Sequence, residues 1–107
     1  MLDIQQLQKD IYQNKLDKGF NVTDINKEFC LIYGEVAEAY EAWRKKQEDV
    51  GEEIADIAIY LLGLCEILEI DFEKEILSKV NKNKHREYKI IDGVNTRTKE
   101  YVEENNQ

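Results

Sequence analysis

Two pairs of carboxylates share one spacing in this chain: Glu35 with Glu38, and Glu53 with Asp56. On a helix, side chains three residues apart project within about 60° of one another. Asp56 is the one charge in the run IADIAIYLLGLC at 54–65. Burying an isolated carboxylate costs on the order of several kcal/mol, so it needs a cation or strong hydrogen bonds. Folding the two segments into a hairpin about Lys45-Lys46 sets Glu38 level with Glu53 and Glu35 level with Asp56. Four carboxylates then converge across one helix–helix seam. Bare, they repel; an oxygen-liganded divalent ion, magnesium or manganese, removes the conflict. A Glu-x-x-Glu pair by itself also reads as a solvated helix face. Glu28, Glu41 and Glu48 are read that way, and Glu52 as part of a helix cap.

The outer segments add a second signal. One stripe runs Ile4, Leu7, Ile11, Asn14, Lys18; another runs Phe72, Ile76, Lys79, Asn83, Arg86. Each begins apolar and ends in amide and cationic groups. Residues 79–89 hold five Lys or Arg against one Glu, the reverse of the overall charge of −8. A cationic stripe facing an acidic metal cluster suits a metal-bound polyphosphate. The alternative is that both helices simply emerge into solvent there.

The elements that must position these groups read as helices throughout. The first runs from an Asp3 cap to about Lys18, with Gly19 as its stop. The second spans about Thr23 to Lys45 on the apolar stripe Ile25, Phe29, Ile32, Val36, Tyr40, Trp43. The third starts near Asp49, which with Glu52 makes a capping box. Its stripe is Val50, Ile54, Ile57, Leu61, Leu64, Leu68. The fourth spans about Asp71 to Glu87, and Asp92-Gly93 marks a turn. This gives a helical domain over 1–93 and a polar tail over 94–107. The second and third helices are apolar nearly all round, and a chain of 107 residues hardly buries two such helices alone. A homo-oligomer joined through them is expected.

Composition narrows the function. The excess of acids leaves no basic footprint for a nucleic-acid polymer. No apolar run reaches the roughly 20 residues of a membrane span, and MLDIQQLQKD lacks signal-peptide character, so a cytoplasmic address is expected. Cys30 and Cys65, each inside an apolar helical segment, read as buried small hydrophobes. His85 is the single histidine, which leaves nothing for a histidine zinc site or a Ser-His-Asp triad.

Glu35-x-x-Glu38, Glu53-x-x-Asp56 and Lys79-x-x-x-Asn83-x-x-Arg86 together resemble the MazG-like all-α nucleoside triphosphate pyrophosphohydrolases. The contexts LIYGEVAEAYEAW and EEIADIAIYLLGLCEILEIDFEKEILSKVNKNKHR agree, and NKLDKGF is similar to a segment of one subgroup. The resemblance covers about residues 4–93. It implies a four-helix-bundle-type domain assembled as a dimer or tetramer. It also implies magnesium-dependent cleavage of a nucleoside triphosphate to monophosphate and pyrophosphate, in nucleotide-pool house-cleaning. On the matching positions, Glu35, Glu38, Glu53 and Asp56 would be the metal ligands, one of them orienting the attacking water. Lys79, Asn83 and Arg86 would contact phosphates, with Asn14 and Lys18 as further substrate contacts. Tyr60, one turn beyond Asp56, is placed to hydrogen-bond the substrate. Trp43, Phe20, Tyr12 and Tyr40 are candidates for stacking on the base, Trp43 reading first as interface packing. Phosphoribosyl-ATP as the substrate, or a non-catalytic helical binding module, are the alternatives.

Overall fold

The computed structural model describes residues 1–99, which fall into two compact units divided after Phe72. The first holds α1 (Ile4–Asp17), α2 (Ile25–Arg44) and α3 (Val50–Ile67). The second holds α4 (Phe72–His85) beyond its first residue, with β1 (Glu87–Ile91) and β2 (Val94–Lys99). Four helices dominate, in line with the all-α expectation.

Local chemistry sets the helix ends. Asp3 accepts from the Gln6 amide at 3.0 Å and Asp24 from the Lys27 amide at 3.1 Å, satisfying first-turn donors. Asp24 is therefore the cap of α2, one residue beyond the expected Thr23. Asp49 precedes α3 but makes no side-chain cap bond, so the expected capping box with Glu52 does not form. Its ψ of 17° already approaches the helical region, away from the extended backbone of Asp3 and Asp24. At the other end, α2 closes through Lys46 at φ 56°, with the Gln47 amide on the Ala42 carbonyl at 2.9 Å.

The buried apolar residues of the first unit are small or aliphatic. Ile32, Ala39 and Ala42 of α2 are buried, as are Leu62 and Leu64 of α3. This corrects the expected stripe: Phe29, Val36, Tyr40 and Trp43 lie outward in the single chain, with Trp43 64 % exposed. Short alanine side chains let two helix backbones approach; a tryptophan at the same place would hold them apart. Cys30 shares the exposed surface of α2, so it is not the buried hydrophobe expected, while Cys65 is half-buried.

Helix α1 packs along α3 with polar groups on its inner face. Gln8 is buried, donating to Glu66 at 2.9 Å and to the Ile70 carbonyl at 2.6 Å, and accepting from the Phe72 amide. Gly63 admits the next turn of α1, because a Cβ there would stand 3.3 Å from Lys15 Cδ and 3.4 Å from Ile11 Cγ2. Lys15 in turn donates to Glu28 Oε1, an ion pair between α1 and α2 with Glu28 1 % exposed.

The second unit departs from an all-helical reading. Asp92 and Gly93 both take positive φ, 51° and 77°, the geometry of a type I′ hairpin turn. They join β1 to β2 in antiparallel register, Ile91 opposite Val94, with a bulge at Glu87/Tyr88. Residues 94–99, expected in a polar tail, are thus a strand; the rest of that tail, 100–107, lies outside the described residues.

Removing one partner of a buried ion pair strands the other charge, whereas removing both does not. Lys15→Met is expected to destabilise the protein by roughly 3 kcal/mol, and Lys15→Met with Glu28→Leu to recover most of it. Denaturant titration of the three proteins checks this; equal losses in the single and double variants would refute it.

Candidate functional site

The α2–α3 hairpin delivers its carboxylates to one place. Oxygens of Glu35, Glu38 and Glu53 all lie within 4.8 Å of one another, a grouping that could hold a metal ion. Glu35 Oε2 and Glu53 Oε2 are buried and have no hydrogen-bond partner. Buried acceptors without donors are costly, and a cation between them satisfies both at once. All-oxygen donors of this kind suit a hard divalent ion. The residues present therefore fit a divalent cation.

Asp56 stands beside this trio without entering it. Its charge acts on both Glu35 and Glu53. Burial first, then the charges of Glu38 and Asp56, a hydrogen bond with Glu38 and the charge of Glu53 raise the Glu35 carboxyl above its ordinary value. Glu53 is raised by burial, then by Asp49, Glu38, Asp56 and Glu52. The pairs expected to stand level, Glu38 with Glu53 and Glu35 with Asp56, are both electrostatically coupled.

A cavity of about 620 Å³ opens among α1, the loop after it, α2 and α3. Asn14 and Tyr60, both expected substrate contacts, border it together with Phe20. Tyr60 also links the cavity to the acidic cluster. Its hydroxyl is held above its ordinary value by burial, then by the charges of Glu35, Glu28, Asp56 and Glu38, and so stays a proton donor at neutral pH. Lys18 caps the end of α1, exposed, and is not among the residues lining the cavity. Tyr40 and Trp43 contact each other instead, ring centroids 6.2 Å apart on the exposed face of α2.

Lys79, Asn83 and Arg86 belong to the second unit, Lys79 and Asn83 on α4 and Arg86 just beyond it. Arg86 donates to Asn83 Oδ1 at 2.8 Å. They are described within that unit and the carboxylates within the other.

Two residues of the site were not singled out by sequence reasoning. Glu28, read as solvated, is buried on the cavity wall, and Lys15 sits beside it. Lys15 Nζ also lies 5.3 Å from the centroid of the Tyr60 ring. Spacing carried the signal: Ile4, Gln8, Ile11 and Lys15 step along one face of α1, and Glu28, Ile32, Glu35, Ala39 and Ala42 along one face of α2.

The raised carboxyls set a pH dependence. The folded chain holds protons at Glu35 and Glu53 more tightly than the unfolded chain does, so their contribution to stability improves as pH falls toward the carboxylate range. Metal-free protein is expected to gain melting temperature from neutrality down to just above that range, by more than a Glu35→Gln variant gains. Added magnesium should raise the melting temperature at neutral pH, and this increment should shrink over the same interval as protons compete for the oxygens. Melting curves in chelator and in magnesium test both; identical pH profiles for the two proteins would count against coupling within the cluster.

Comparison with known proteins bears on the same residues. No curated protein and no solved structure matches the chain significantly. Residues 25–103 match the MazG-like family, a span containing Glu35, Glu38, Glu53, Asp56, Lys79, Asn83 and Arg86 and excluding Asn14, Lys15 and Lys18. With well over half its length matched, the chain belongs to the MazG-like family.

Proposed function

We propose that this protein is a magnesium-dependent nucleoside triphosphate pyrophosphohydrolase that converts a ribo- or deoxyribonucleoside triphosphate and water to the monophosphate and pyrophosphate. Family membership suggests activity of nucleotide pyrophosphohydrolase type, and such enzymes are typically metal-dependent. The convergence of Glu35, Glu38 and Glu53 from two helices, with buried oxygens left unpartnered, carries the reading. Clearing surplus or non-standard nucleotides is the cellular role that fits.

Glu35, Glu38 and Glu53 hold the cation, for which manganese is a substitute, and Asp56 completes the set. A bound divalent ion lowers the pKa of water and screens phosphate charge. Asp56 accepts a hydrogen bond from the attacking water and orients it. Tyr60, kept protonated by the surrounding acids, donates to the substrate. Lys79, Asn83 and Arg86 bind phosphates and neutralise charge gathering on the departing pyrophosphate, a role resting on their match to the family motif. Asn14 offers its amide from the cavity wall, and Lys18 is assigned with it from the NKLDKGF segment. No covalent intermediate with the protein is needed.

The proposal includes a homo-oligomer joined through α2 and α3. Phe29, Val36, Tyr40 and Trp43 on α2, with Ile54 on α3, expose more apolar surface than scattered single residues would.

Pyrophosphate release should be measured with magnesium over a nucleotide panel that includes phosphoribosyl-ATP. Glu38→Gln and Asp56→Asn are each expected to lose roughly 100-fold or more of the turnover without any fall in the melting temperature of the metal-free protein, and chelator to abolish turnover. Full activity in chelator would defeat the mechanism. Sedimentation should show more than one chain, and Val36→Asp with Trp43→Glu should yield monomers; a monomeric parent protein would end the oligomer proposal.

A further inference from the structure

The buried Lys15–Glu28 pair has no role in the chemistry above. Stability gives it little reason to exist, because well-packed apolar residues commonly do as well as a buried ion pair. Glu28 has one oxygen, Oε1, engaged by Lys15. Its second oxygen, Oε2, is buried and has no hydrogen-bond partner. Both residues border the cavity among α1, α2 and α3.

We infer that Glu28, paired to Lys15 on the wall of this cavity, selects the nucleobase of the substrate by accepting a hydrogen bond from a base N–H. The kind of ligand rests on the pyrophosphohydrolase reading; the recognition rests on the cavity. Ile11, Leu31 and Phe20 give it apolar walls, with Phe20 able to cover a flat ring, and Asn14 adds an amide. Tyr60 borders the same space, and the charges of Glu35, Asp56 and Glu38 act on its hydroxyl, so the cavity lies next to the acidic cluster that would hold the phosphates. A nucleoside triphosphate with its phosphates at that cluster projects its base away from it. The base edge far from the sugar carries an N–H in every common base, either an exocyclic amino group or a ring imide. Such a donor meets the unfilled demand of Oε2. A buried acceptor rejects a ligand that cannot donate, because pairing is lost and desolvation remains.

The test uses the full chain in chelator, without phosphates. Binding of ribonucleosides is followed by calorimetry for cytidine, uridine, adenosine and guanosine, each beside the analogue in which every N–H of the Watson–Crick edge is replaced by N–methyl, so that both hydrogens of an exocyclic amino group are removed. At least one parent nucleoside is expected to bind, and its methylated analogue to bind at least about tenfold more weakly. Glu28→Gln keeps an oxygen for Lys15 and puts an amide N–H in place of Oε2. It is expected to narrow that gap to about threefold or less, at the cost of the parent nucleoside. Leu31→Trp, which fills the cavity and leaves the ion pair alone, should abolish binding and covers the case in which Glu28→Gln does not fold. No binding at millimolar nucleoside, or equal binding of parent and methylated forms, overturns the inference and leaves Oε2 to a buried water. The same holds if Glu28→Gln weakens all ligands by one common factor. Pyrophosphate release is scored separately: nucleoside binding without it sinks the hydrolase reading alone, and hydrolysis indifferent to base methylation sinks this one alone.

Discussion

Crowding of like charge at the α2–α3 seam governs this molecule. Ala39 and Ala42 let the two helices close on each other, and the same closeness brings Glu35, Glu38 and Glu53 within 4.8 Å. The contacts that stabilise the hairpin thereby create its electrostatic liability. Burial first, and this crowding after it, make Glu35 and Glu53 hold their protons more firmly than free carboxylates do, and those protons relieve part of the repulsion. A divalent cation relieves more, since it offers two charges and several coordination positions to oxygens that otherwise have none. Close packing and the fitness of this place for a divalent ion are thus two aspects of one geometry.

Much of this was legible in the sequence. Helical periodicity located α1 to α4 to within a few residues, and the matched spacing of the carboxylate pairs pointed to the seam where Glu35, Glu38 and Glu53 come together. The face of α2 was not legible. Two stripes, one residue apart, run along it: Phe29, Val36, Tyr40 and Trp43, and Glu28, Glu35, Ala39 and Ala42. Hydrophobicity favours the first, but close approach within one chain depends on side-chain size and selects the second. Glu28 was read as solvated for the same reason. Spacing puts it on the buried face of α2, but the partner that makes its burial tolerable, Lys15, arrives from another helix. The hairpin was half legible. Asp92-Gly93 marked the turn, yet the apolar Tyr88, Ile90 and Ile91, between the expected end of the fourth helix and that turn, were assigned to no element.

Polar groups do an unusual share of the packing in the first unit. Gln8 ties α1 to Glu66 near the end of α3 and to Ile70 and Phe72 beyond it through three hydrogen bonds, and Lys15 ties α1 to α2. Directional contacts fix a helix in rotation as well as in depth, which apolar surfaces do less sharply. Gly63 belongs to the same arrangement, its missing side chain giving the Lys15 stem its passage. Orientation of α1 matters because Asn14, Lys15 and Ile11 all reach the cavity from it.

The arm of α2 beyond Glu38, through Ala39 and Ala42 to the close at Lys46, works as a ruler. Changing a side chain along it alters local fit, but adding or deleting one residue would turn everything past that point by about 100°. Glu53 would then face a different neighbour from the one it now meets. Length, more than composition, is what this stretch of chain has to keep.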